Sequence, residues 1–119
     1  MGNKRARGMK GEKLAADYLQ SKGYEIVTRN YRCSLGEIDL IARREGMLVF
    51  VEVRSRWSGS FGPPEQSISD RKMNRLIDLA NYYLSTELRR EVPCRFDFIG
   101  IKFNREDGTE SINHIAGIT

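Results

Sequence analysis

Gly36-Glu37-Ile38-Asp39-Leu40-Ile41-Ala42-Arg43-Arg44-Glu45-Gly46-Met47-Leu48-Val49-Phe50-Val51-Glu52-Val53-Arg54 is the stretch that decides the fold. Its two ends, Gly36 to Ala42 and Leu48 to Arg54, alternate or run apolar as buried strands do. Arg43 to Met47 between them is polar with one glycine, the composition of a hairpin turn. A turn centred on Glu45-Gly46 sets Asp39 opposite Glu52, Glu37 opposite Arg54 and Ile41 opposite Phe50. Ile38/Val53, Leu40/Val51 and Ala42/Val49 then share the other face, which is wholly apolar. The first face gathers three acids and one base.

Such a gathering is costly. Like charges directly opposite in an antiparallel pair destabilise it, and carboxylates amid apolar strands are poorly hydrated. Two arrangements offset the cost. A divalent cation held between Asp39 and Glu52 is one, since magnesium favours hard oxygen ligands. The other is an ordinary ion-pair network in which Arg54 and Arg56 neutralise the acids.

On the N-terminal side, Met9 to Lys22 reads as a helix. Leu14 with Tyr18 and Ala15 with Leu19 share an apolar face, and Gly23 stands where a glycine stop is expected. Glu12 projects near the border of that face, about 90° from its centre by the helical repeat. It leans toward whatever the helix packs on, or it is a surface acid favoured by the helix dipole. Tyr24 to Arg29 is a first strand, and Asn30 to Leu35 a polar connection.

On the C-terminal side, Trp57 to Pro64 is a loop by composition that should lie beside the acids. Its Trp57 and Phe61 either stack on bases or sugars or anchor the loop. A second helix starts at Ser69 or Asp70, either a good cap. Met73, Leu76, Ile77, Ala80 and Leu84 mark its core face. Arg71, Lys72 and Arg75 crowd its first turns against the dipole preference, as cations that meet phosphate or as a solvated basic face. Arg95 to Phe103 is a fourth strand, Asp107-Gly108 a turn, and Ser111 to Ile118 a short last strand.

Within 119 residues this order predicts one α/β domain, a small mixed sheet with helices packed on it. Residues 1–10 are expected to form a basic arm. The net charge of +4 mildly favours an anionic partner. Cys33 and Cys94 form no CxxC pair and suggest free thiols and a cytoplasmic location. His114 is the only histidine, which excludes a multi-histidine zinc site. The basic N-terminus has no apolar run behind it and is not a signal peptide, and no stretch approaches the ~20 apolar residues that cross a bilayer.

In combination, Gly11-Glu12-x-x-Ala15-x-x-Tyr18-Leu19, Gly23-Tyr24, Arg29-Asn30, Gly36 to Ala42 and Val49 to Arg54-x-Arg56 resemble the bacterial YraN-like family. The likeness runs from Gly11 to Leu84, and more weakly through Phe96-Asp97. That family is similar to the restriction-endonuclease-like fold, and within it to archaeal Holliday-junction resolvases. The resemblance implies a three-layer α/β fold, its small mixed β-sheet flanked by helices. Those enzymes use a helix glutamate, a strand aspartate and a Glu-x-Lys on the next strand. Glu12, Asp39 and Glu52 match the three acids. Position 54 departs, with Arg54 where the motif has lysine. Arginine offers charge and hydrogen bonds but cannot release its proton.

What the resemblance implies is a magnesium- or manganese-dependent endonuclease on DNA, branched or junction DNA included. Asp39, Glu52, Glu12 and the Val53 carbonyl are the expected metal ligands. Arg54 is expected to orient water or phosphate, and Arg56, Gln66, Lys72 and Arg75 to contact nucleic acid. A homodimer is a further expectation, although no dimer surface is legible. The alternatives are a non-catalytic nucleic-acid-binding module on a decayed nuclease fold and a protein-interaction subunit with a vestigial site.

Overall fold

A computed structural model of the chain describes residues 4–57 and 69–118. The elements run α1 (Lys4–Ser21), β1 (Glu25–Cys33), β2 (Gly36–Arg44), β3 (Met47–Trp57), α2 (Asp70–Tyr83), a π-helical turn (Leu84–Leu88), β4 (Cys94–Phe103) and β5 (Glu110–Ile115). The five strands form one sheet in the order β1-β2-β3-β4-β5. All neighbours are antiparallel except β3 and β4. That parallel pair is what requires a crossover, and α2 lies within the connection.

The two helices cover opposite faces. Ala15, Ala16 and Leu19 of α1 bury against Leu40, Ala42, Val49, Val51, Ile99 and Ile101. On the other face, Leu76, Leu79, Ala80 and Tyr83 of α2 bury against Ile38, Ile41, Leu48 and Phe50. Both faces of β3 are therefore dry, and Leu48-Val49-Phe50-Val51 is an unbroken apolar run for that reason. This is a three-layer α/β arrangement compatible with a small restriction-endonuclease-like fold.

Local chemistry sets the ends of these elements. α1 stops where Gly23 takes φ +93° and Tyr24 N–H returns to the Leu19 carbonyl at 3.0 Å. α2 begins at Ser69, whose hydroxyl accepts from Lys72 N–H at 3.2 Å. The hairpin turn has Glu45 at φ 52° and Gly46 at φ 78°, the paired positive values that match strand twist. Leu40/Val51, Ile41/Phe50 and Ala42/Val49 pair in the expected register.

Three expectations are corrected. α1 starts at Lys4, so the residues expected as a basic arm are helical from there on. β1 continues past Arg29 to Cys33, through what reads as a polar connection. Ile38 leaves the apolar face expected for it and buries with Ile41 and Phe50 on the α2 side. The same stretch carries a backbone irregularity in the neighbouring strand. Asn30 takes φ 52° in β1, between the pairs Arg29/Leu40 and Tyr31/Ile38. Leu40 buries on the α1 side and Ile38 on the α2 side, so the alternation of β2 breaks at Asp39.

Candidate functional site

The break in β2 and the end of the β2/β3 ladder fall at one place. The paired register of β2 and β3 runs from Arg44/Met47 to Leu40/Val51, and Asp39 and Glu52 lie just past it. There the Asp39 side chain takes over from the main chain: Val53 N–H donates to Asp39 Oδ2 at 2.8 Å. Close approach of α1 supplies the next acid. A Cβ on buried Gly11 would sit 2.0 Å from Ser55 Oγ, so only glycine lets the helix lie this near β3 without a shift. Glu12 follows it directly.

A cleft of about 400 Å³ opens at this point. Four acids line it: Glu12 from α1, Glu37 and Asp39 from β2, and Glu52 from β3. Carboxylate oxygens of Glu12, Glu37 and Asp39 lie within 4.8 Å of one another. One cation with oxygen ligands at ~2.0–2.6 Å spans such a group. Glu52 belongs to the cluster differently. It lines the cleft beside Asp39 and meets two cations, Arg54 Nη2 at 3.2 Å and Lys72 Nζ at 3.7 Å.

The acids disturb one another. Burial pushes the Asp39 carboxyl up to about 8, with the charge of Glu52 adding to it and the Val53 N–H opposing. Glu52 is also raised by burial, although Arg54 pulls it down. Glu12 is raised by burial, against a hydrogen bond from Asn30. Like charges in one desolvated site favour sharing a proton, and both carboxyls are shifted in that direction.

Of the expected residues, the cleft gathers Glu12, Asp39, Glu52, Val53, Arg54, Lys72 and Arg75. Arg56 is half-buried further along β3 and does not line it. Gln66, Phe61 and Pro64 lie outside the described residues. Trp57 packs on Phe103 with ring centroids 5.4 Å apart, and Arg105 stands 5.1 Å over its ring. The expected pairing of Glu37 with Arg54 does not form, because Glu37 binds Arg32 Nε at 2.5 Å.

Arg54 itself is only partly satisfied. Among the described residues its Nε has no hydrogen-bond partner despite being buried. A buried donor left so costs about 1–3 kcal/mol, and a phosphate oxygen or water would remove that cost. Three participants escape the expected site set: Asn30, Arg32 and Glu37. Glu37 was legible as an acid on the Asp39 face. Asn30 carried a weaker signal, being a residue type disfavoured in strands.

Comparison with known sequences follows the same span. The profile of the uncharacterised protein family UPF0102 matches residues 11–101. A UPF0102 protein of Desulforamulus reducens is 49% identical over 114 residues, covering 94% of this chain and 93% of its own. A UPF0102 protein of Moorella thermoacetica is 43% identical over 114 residues, covering 96% and 95%. One from Caldanaerobacter subterraneus is 41% identical over 114 residues, covering 95% and 93%. No helix among the described residues is long and apolar enough to cross a membrane.

Proposed function

The chain belongs to the uncharacterised protein family UPF0102, and from its site we propose that it is a metal-dependent endonuclease acting on DNA, branched or junction DNA included. The observation that carries this reading is the cleft itself. Three carboxylates converge on a half-buried Asp39, and Arg54, Lys72 and Arg75 rim the same space. A bound cation would relieve the acid cluster, and a cationic rim beside it suits the phosphate that the cation would share.

Asp39 and Glu52 would hold magnesium or manganese, with Glu12 and the Val53 carbonyl as further oxygen ligands. When bound, the ion supplies Lewis-acid stabilisation of charge on the phosphate. The rest falls to the protein's own groups. Asp39, oriented by the Val53 N–H, must give up its proton for the ligand set to form. Arg54 presents its free Nε to the phosphate or the attacking water. Lys72 and Arg75 hold the backbone without reading sequence.

A second reading has its own observation. Arg54 stands where nucleases of this resemblance carry lysine, and it is engaged with Glu52 at 3.2 Å. A site so occupied suits a DNA-binding module that has lost catalysis. Incubation with linear, flapped and four-way DNA, with and without magnesium or manganese, separates the two. Metal-dependent cleavage of any substrate supports the nuclease. Salt-sensitive binding with no cleavage under either metal supports the module.

A further inference from the structure

The acidic cleft adjoins a second groove of about 500 Å³, lined by Leu35, Arg71, Asn74, Arg75 and Asp78. Arg75 lines both spaces, and Gly36, the residue after Leu35, lines the cleft. One wall of the groove is a face of α2, whose four lining residues recur at helical spacing. The other is the tip of the β1/β2 hairpin, where Ser34-Leu35 joins Cys33 to Gly36.

Both walls go against local preference. Arg71 and Arg75 are like charges four residues apart on a helix, an unfavourable pair. They also stand near the helix start, where the dipole disfavours cations. Among the described residues neither forms an ion pair. Leucine is not a turn-forming residue, yet Leu35 occupies the hairpin tip at 48% exposure. A lone exposed leucine is ordinary. This one faces a groove shared with two unpaired arginines, beside the acidic cleft. Phosphates and apolar base faces occur together in a nucleic-acid strand, and that is the ligand these walls match.

We propose that this groove receives a DNA strand as it leaves the acidic cleft, with Arg71 and Arg75 on its phosphates and Leu35 as an apolar wedge against a base. The proposal rests on the nuclease reading above and narrows its substrate to branched DNA. Wedging a leucine into an intact stack costs the energy of unstacking. At a branch point the stack is already interrupted, so the same contact favours branched over linear DNA.

The test is fluorescence anisotropy of labelled four-way and linear duplex DNA against the full chain, over a salt series, in EDTA and with Ca²⁺. Wild type should bind the four-way DNA more tightly. Leu35→Ser should weaken four-way binding by ~10-fold or more, the scale of one leucine moved out of water. It should leave linear binding and the salt slope unchanged. Arg71→Ala should weaken binding to both DNAs and lower the slope by about one counterion unit. Arg90→Ala, on a different groove, should do neither. Leu35 and Arg71 are exposed, so thermal melts of these variants should match wild type. The wedge is overturned if wild type does not discriminate, or if Leu35→Ser weakens both DNAs equally or neither. It then fails alone when wild type still cleaves DNA with magnesium or manganese. Wild type that binds neither DNA under either condition overturns the nucleic-acid reading itself, and this groove with it.

Discussion

Asp39, half-buried, and Asp97, fully buried, are aspartates of one sheet, and their surroundings are opposite. Asp97 is 0% exposed. Arg95 grips both its oxygens at 2.8 and 2.7 Å, His114 Nε2 lies at 2.7 Å, and Gly117 N–H donates at 3.1 Å. Burial pushes Asp97 up, yet these bonds outweigh it and hold the carboxyl below its usual range. Asp39 has one N–H and three acidic neighbours, and is pushed up to about 8. The difference teaches that burial alone does not mark a functional acid. An acid whose own chain satisfies it is structural, whereas one whose own chain frustrates it needs something from outside.

The Asp97 centre also shows what a completed network does. Tyr24 O–H accepts from Arg95 at 2.6 Å, and Tyr18 O–H faces His114 Nδ1 at 3.3 Å. A neutral imidazole protonated on Nε2 meets both its contacts, donating to Asp97 and accepting from Tyr18. The network ties the end of α1, the start of β4, β5 and the final residues to one another. Ile118 N–H on the Phe96 carbonyl at 2.8 Å completes the tie.

The contrast breaks most readily at Asp97. Asp97→Ala leaves Arg95 without its counter-ion and should cost about 3–5 kcal/mol in urea unfolding. Asp39→Asn, in the absence of metal, should cost nothing or stabilise by removing repulsion. Similar large losses at both positions would show that the two acids play the same part. The arginines sharpen this. Arg54→Ala should reduce cleavage by ~10²–10³-fold, about 3–4 kcal/mol, as for other preorganised donors. Binding of intact DNA should change far less. Arg54→Lys should keep or raise cleavage, since it restores the nuclease pattern. Equal cleavage by Arg54→Ala and wild type would remove the role given to Arg54.

The pH dependence should run in opposite directions. Asp39 binds its proton more tightly in the folded protein, so the metal-free chain loses stability as pH rises from about 4 to about 8. Asp97 is lowered, so its contribution is present above the usual aspartate range of about 3.9 and is lost as pH falls further. Thermal melts across pH 3–9 should show both limbs, and Asp39→Asn should flatten only the upper one. Magnesium or manganese should raise the melting temperature most near pH 8, where the proton it displaces is already leaving. A metal-induced rise unchanged in Asp39→Asn rules out this site. The smallest expected effect is at the rim. Lys72→Ala should lower the salt slope of DNA binding by about one counterion unit, and Arg95→Ala should leave that slope alone.

Much of this was written in local pattern. The hairpin register followed from strand periodicity and one glycine turn, and it placed Asp39 near Glu52 before any coordinates. The start of α2 was narrowed to Ser69 or Asp70 by side-chain capping, and Ser69 is the cap. Both are short-range effects, decided by neighbours within a few residues. The partners of each acid were not legible in this way. Opposition across an ideal ladder paired Glu37 with Arg54, but Glu37 binds Arg32 and Arg54 binds Glu52. The β2/β3 ladder ends at Leu40/Val51, where the alternation of β2 breaks, and such a break leaves little trace in composition.

The sequence by itself determined the element order and the β2/β3 hairpin that brings Asp39 near Glu52, because strand alternation, helix periodicity and turn chemistry act locally. Tertiary structure decided which acids are satisfied. The approach of α1 at Gly11, the break in β2 at Asp39 and the crossover through α2 bring Glu12, Asp39 and Lys72 together from distant parts of the chain. Asp97, a single acid in an apolar strand, looked no more settled than Asp39 until β5 and α1 closed over it. Charge compensation depends on distance and desolvation, and both are set only when the layers have packed.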